Sequence, residues 1–275
     1  MLDNLPLRRR KEDRPQRFKR GVYLLPSMFT VANLFCGYAC IVYSTQGDYD
    51  TAALLIGIAM ILDTLDGFVA RLTKSSTAFG VELDSLADVV SFGLAPAILA
   101  FAWGLWPLQR LGWAVGFLYV TAAAMRLARF NIQSASVTDK RYFAGLPSPA
   151  AAAVIVSTVY LYPSGLQEWR AALPALALVL IPALLMVSTI RFRSVKAMEM
   201  GWRRSYLAIF LAAVTLALIA IYPRVALVVM SYTYVLAGLT LWVVGRLHRR
   251  PHDQGAALSP DTEHPLPTVN SQFPH

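Results

Sequence analysis

The sequence predicts an all-α fold, a polytopic membrane bundle of about eight transmembrane helices, and three observations predict it. First, 56% of the 275 residues are hydrophobic and only 15% are charged. Soluble domains average about 25% charged residues, so this chain lacks the charge to cover a water-facing surface, and a soluble globular enzyme is excluded. Second, apolar runs of 16–24 residues recur after residue 20, separated by short polar breaks. A helix of about 20 residues crosses the hydrocarbon core, and only helices or closed barrels satisfy their backbones there. No period-two alternation is present, and the runs are too long for barrel strands. Third, the basic residues are sorted along the chain in a way that only alternating spans explain.

Taken in order, residues 1–20 form a basic leader carrying Arg8, Arg9, Arg10, Lys11, Arg14, Arg17, Lys19 and Arg20. The first span, 24–45, is not followed by a small-residue cleavage pattern, so it reads as retained rather than as a signal peptide. Spans 50–72 and 83–104 are joined by a short turn, Leu72–Gly80, bearing Lys74 beside Arg71. Span 111–131 carries Arg126 and Arg129 near its end, with Lys140 and Arg141 beyond. Span 148–163 is the shortest. Span 171–190 precedes Arg191, Arg193, Lys196, Arg203 and Arg204, and spans 204–222 and 225–246 precede Arg249 and Arg250. Residues 251–275, with five prolines, read as a disordered cytoplasmic tail.

If the N-terminus is cytoplasmic, all 25 basic residues except Arg110, Arg170 and Arg224 fall on that side. That bias matches the positive-inside rule, and a missed or extra helix would scramble it. Both termini are then cytoplasmic. The formal charge of +9 reports topology and an anionic lipid surface, not nucleic acid. Cys36 and Cys40 are too few for a disulfide framework. His248, His252, His264 and His275 all lie beyond the last span, which argues against histidine triads or zinc sites in the body.

Of 16 acidic residues, Asp63, Asp66, Asp84 and Asp88 stand inside apolar runs, with Glu82 beside them as a loop or interface residue. A carboxylate at membrane depth costs about 2.5–3.5 kcal/mol on insertion scales, so four of them demand a purpose. Asp63 and Asp66 are i,i+3 on one helix, and Asp84 and Asp88 are i,i+4 on the next, so each pair shares a face. A short turn makes the two helices antiparallel neighbours and brings all four carboxylates to one depth. Oxygen donors without His or Cys favour hard divalent cations. Two carboxylate pairs suit a binuclear centre for phosphoryl displacement. Gly67, Ala70 and Gly80 would let a ligand or a facing backbone approach closely, and Arg71 offers a cation for phosphate.

The run Asp63-Thr-Leu-Asp66-Gly67-Phe-Val-Ala70-Arg71, with Gly80, Asp84 and Asp88 following at fixed intervals, resembles the complete signature of the CDP-alcohol phosphatidyltransferases. The resemblance implies a six-helix catalytic core over residues 21–200, with the helices of 201–250 as an addition. It implies that Asp63, Asp66, Asp84 and Asp88 bind two divalent ions, Mg²⁺ or Mn²⁺, and that Asp88 is also the general base. Gly67, Ala70, Arg71, Thr77 and Gly80 would hold the CDP moiety. Thr30 and Asn33 belong to a first-helix stretch, Leu25–Gly37, that resembles integral-membrane phosphatidylserine synthases. Val90–Pro96, Arg126–Asn131 and Gly145–Pro149 resemble them too, and Ser27 departs from their usual Asn. Within that branch the substrates would be CDP-diacylglycerol and L-serine, the products phosphatidylserine and CMP, the assembly a homodimer, and the location a prokaryotic cell (inner) membrane with the site facing the cytoplasm.

Arg126, Arg129 and Arg191 would contact phosphate or the serine carboxylate, or serve only as positive-inside anchors. Two alternatives stay open at this point. One is another acceptor alcohol (glycerol 3-phosphate, inositol phosphate or choline). The other is a cation transporter that uses the intramembrane aspartates.

Overall fold

The computed structural model describes residues 17–73, 77–135, 142–188, 191–193 and 202–247. The leader before residue 17, the tail after 247 and Lys74, Lys140, Arg141 and Lys196 lie outside the described residues. Within them the chain forms eight helices: α1 (Arg17–Gln46), α2 (Tyr49–Thr73), α3 (Ala78–Leu108), α4 (Arg110–Ala135), α5 (Ser148–Leu161), α6 (Trp169–Val187), α7 (Trp202–Ile221) and α8 (Pro223–Leu247). Six of them, α1–α4, α6 and α8, are long and apolar enough to cross a membrane. The protein is an integral membrane protein of the all-α class, as its hydropathy predicts. The shortest span, α5, has 14 residues and rises only about 21 Å at 1.5 Å per residue.

Helices α1 and α2 form an antiparallel pair closed by a tight turn. Asp48 caps α2 there by accepting the Thr51 N–H at 3.1 Å. Hydrogen bonds from Thr51 hold the exposed Asp48 carboxyl below its usual range. The core gathers around α3, where Phe92, Leu99 and Leu105 pack with Tyr119 of α4, Ile155 of α5 and Met186 of α6, all fully buried. Helix α3 is continuous but widens into π-helical turns at Val89–Leu94 and Phe101–Leu105. Such turns often mark functional segments, and the first one begins directly after Asp88. The Phe92 carbonyl in this turn accepts the Tyr119 hydroxyl at 3.2 Å.

Two features differ from the sequence reading. The connection between α2 and α3 is shorter than Leu72–Gly80, because α2 runs to Thr73 and α3 begins at Ala78. Thr77 makes this early start: its hydroxyl accepts the Gly80 N–H at 3.0 Å and satisfies an otherwise orphaned helix donor. The second difference is a two-stranded ribbon, β1 (Tyr142–Ala144) with β2 (Arg191–Arg193), antiparallel with Ala144 opposite Arg191. Gly145 makes this ribbon fit, at φ +90; a Cβ there would lie 2.3 Å from the Met186 carbonyl oxygen. Hydropathy carries no signal for strands of three residues.

Candidate active site

The acidic residues meet where α2 and α3 approach their connection. The sequence reading made these two helices direct neighbours along this stretch. In the structure, α1 packs against both, and α2 meets α3 closely only further along, at the π-turn and beyond. Helix α1 approaches α3 most closely at Gly37, where a Cβ would fall 2.6 Å from Ser91 Oγ and 2.9 Å from Ser91 Cα. The Ser91 hydroxyl also donates to the Asn33 carbonyl at 3.0 Å, locking α1 to the π-turn. With α1 as the shared wall, the carboxylates of α2 face those of α3 across a gap.

Three carboxylates converge in it. One oxygen each from Asp63, Asp84 and Asp88 all lie within 4.8 Å of one another, and all three residues are half-buried. Asp66 is buried, and its Oδ2 accepts the Thr30 hydroxyl of α1. Asp88 Oδ1 is buried without a hydrogen-bond partner. Asn33 stands beside Asp88, fully buried, with neither its Oδ1 nor its Nδ2 engaged in a close hydrogen bond. Buried polar atoms are normally satisfied, so these orphans point to a missing partner. Three converging oxygen donors with no sulfur or imidazole, and an unsatisfied carboxylate oxygen among them, fit a hard divalent cation.

The cationic wall is Arg126. It is half-buried on α4, lies in electrostatic reach of Asp88, and donates from Nη1 to Ser148 Oγ at 2.6 Å. Asn131, further along α4, donates to Ser85 of α3 at 2.9 Å. Arg129 is exposed and makes no hydrogen bond or ion pair with a described residue. Arg71 is exposed at the end of α2. The backbone of Arg191 lies in β2, paired with Ala144 just ahead of Ser148, so the ribbon ties it to the start of α5.

The small residues divide by role. A Cβ on Gly67 would meet nothing within 4 Å, so helix packing does not require a glycine there, and the open space suits a ligand. Gly80 has the Thr77 hydroxyl against it, 3.1 Å from the position a Cβ would take. Thr77 and Gly80 therefore have a capping role independent of any ligand. Ala70 is half-buried on α2. One feature was invisible in the sequence: the π-turn after Asp88.

A helical membrane bundle that gathers carboxylates and an arginine near one end of its helices has the parts of an enzyme acting on phosphorylated groups at a membrane. The family model of the CDP-alcohol phosphatidyltransferases matches residues 23–183, and the chain belongs to that family. It is therefore a phosphotransferase, and the cation-transporter reading falls away. The chain is 37% identical over 223 residues to the CDP-diacylglycerol–serine O-phosphatidyltransferase of Helicobacter pylori strain 26695, covering 81% of this chain and 92% of that protein. The enzyme of the same name from Mycobacterium bovis is 32% identical over 227 residues, 78% of each chain. The archaetidylserine synthase of Methanothermobacter thermautotrophicus is 35% identical over 176 residues, 63% of this chain and 71% of that one.

Proposed function

We propose that the protein transfers the phosphatidyl group of CDP-diacylglycerol to the hydroxyl of L-serine, releasing phosphatidylserine and CMP. The observation that carries this reading is the convergence of Asp63, Asp84 and Asp88 oxygens within 4.8 Å in a chain similar over most of its length to CDP-diacylglycerol–serine O-phosphatidyltransferases. Asp63, Asp66, Asp84 and Asp88 would hold two divalent ions, Mg²⁺ or Mn²⁺. Bound there, such ions would supply the positive charge that neutralises the pyrophosphate and the departing CMP.

The chain's own residues do the rest. Asp88 accepts the proton of the serine hydroxyl as its oxygen bonds to the β-phosphorus, and the bond from that phosphorus to the CMP oxygen breaks. A serine hydroxyl is a weak nucleophile at neutral pH, so a positioned base and fixed charges supply the rate. The open space beside Gly67, with Ala70 and Arg71 along the same helix, receives the CDP moiety, and Thr30 and Asn33 of α1, beside Asp66 and Asp88, complete the donor site. Arg126 offers its guanidinium to the serine carboxylate, with Arg129 and Arg191 as cations of the approach. The site faces the cytoplasm of a cell membrane, where a water-soluble acceptor and a bilayer-anchored donor meet, and the enzyme works as a homodimer among anionic lipids.

An acceptor screen tests this. Purified protein with CDP-diacylglycerol and Mg²⁺ or Mn²⁺ should release CMP on addition of L-serine, and a chelator should stop the release. Faster release with glycerol 3-phosphate, inositol phosphate or choline would overturn the serine assignment. Release undiminished by a chelator would overturn the role given to the carboxylates.

A further inference from the structure

The segment that opens α5 is stiff and is tied to α6. Leu146 is fully buried and its N–H donates to the Leu185 carbonyl at 3.0 Å, while Gly145 lies against the Met186 carbonyl. Pro147 and Pro149 flank Ser148, each with its φ fixed by the ring. A serine at a helix start ordinarily turns its hydroxyl onto the first turn as a cap. Ser148 is fully buried, and its hydroxyl instead accepts Nη1 of Arg126, across from α5 on α4, at 2.6 Å.

Arg126 itself is set at the level of the carboxylates. Two hydrogen bonds fix how α4 lies along α3: the Tyr119 hydroxyl donates to the Phe92 carbonyl at 3.2 Å, and Asn131 donates to Ser85 at 2.9 Å. Asp88 falls between the α3 ends of these bonds, and Arg126 falls between the α4 ends. Arg126 also continues the buried stripe of α4, following Ala122 and Ala123 at i+4 and i+3, whereas Arg129 is exposed. A guanidinium carries five N–H donors. Ser148 takes one, and no other hydrogen bond or ion pair reaches Arg126 from the described residues. Open donors on a half-buried guanidinium between packed helices call for an anionic partner.

We propose that Ser148 is a positioning residue of the acceptor subsite, its hydroxyl holding the Arg126 guanidinium so that the open donors receive the carboxylate of the acceptor. This rests on the reading of Arg126 as the acceptor's anion contact. The test is steady-state CMP release by the purified full-length protein in mixed micelles, with KM measured separately for L-serine and CDP-diacylglycerol. Five proteins are compared: the unaltered chain, Ser148→Ala, Arg126→Lys, the double variant of these two, and Ser157→Ala. Arg126→Lys keeps the charge and loses the planar fork. Ser157→Ala removes a hydroxyl from the same helix at its contact with Ser231 of α8. Ser148→Ala should raise the serine KM about fivefold with kcat within about twofold, the pattern of lost binding uniform to ground and transition states. Its CDP-diacylglycerol KM should not move, and Ser157→Ala should change neither constant. Arg126→Lys should raise the serine KM at least as much, and the double variant should match Arg126→Lys to within about twofold, since residues acting through one contact are not additive. An unchanged serine KM in Ser148→Ala overturns the inference. So does an equal rise in Ser157→Ala, or a double variant whose rise is the product of the two single ones, because Ser148 would then act without Arg126. A rise confined to CDP-diacylglycerol overturns the acceptor assignment. If the unaltered chain ignores serine, the functional reading fails instead, and the same variants are judged on the KM of whichever acceptor does release CMP.

Discussion

Helices α3 and α8 are both long enough to cross the same bilayer, yet the protein holds them by different means. In the span of α3, 61% of the residues of its most apolar window are buried, against 6% in α8. Helix α3 is held by shape: its π-turn lies against Gly37, where no side chain fits, and its apolar face fills the core. Helix α8 is half-buried or exposed along nearly all of its length, and polar contacts to α2 and α5 help to hold it. Lipid is as apolar as leucine, so burying leucine between membrane helices yields little, and close packing or hydrogen bonds must do the holding. Asp84 and Asp88 sit on tightly packed α3, which keeps their positions fixed, while Asp63 and Asp66 reach the same gap from α2.

The largest test of this contrast is Asp88→Asn on α3. It should lower CMP release by about a hundred- to ten-thousand-fold, the range for loss of a positioned base, with an unchanged melting transition in detergent. Most of the activity surviving would remove the base from α3. Next comes Gly37→Ala, whose Cβ would land 2.6 Å from Ser91 Oγ. Overpacking of this kind costs about 1–3 kcal/mol, read as a lowered midpoint of thermal unfolding. A neutral Gly37→Ala would mean that α1 and α3 are not held by close approach. The smallest effect belongs to Ser157→Ala, which removes the contact to Ser231 on α8. Interhelical hydrogen bonds in membranes average about 0.6 kcal/mol, so its midpoint should fall measurably less than that of Gly37→Ala. A larger fall than Gly37→Ala would reverse the comparison.

Much of this architecture is legible in the chain itself. The eight helices follow from apolar length and the distribution of arginine and lysine, because hydrocarbon admits few other backbones. The acidic cluster stands out because carboxylates are scarce in apolar runs, and its spacing places Asp63, Asp84 and Asp88 on converging faces. The boundaries were less legible. Thr77 starts α3 earlier than hydropathy suggests, since a cap depends on one hydroxyl. The β1–β2 ribbon depends on Gly145 and on pairing between segments far apart in sequence.

The sequence alone determined the membrane class, the number of helices and which side chains carry charge into the bundle, because each is a property of local composition and spacing. Only the tertiary structure decided that α1 packs against both α2 and the first turns of α3, that Asp66 turns to Thr30, and that Arg126 bonds to Ser148 within electrostatic reach of Asp88. Those facts depend on how closely backbones approach and on which polar atoms find partners across helices. Neither quantity is written in the order of residues along any one of them.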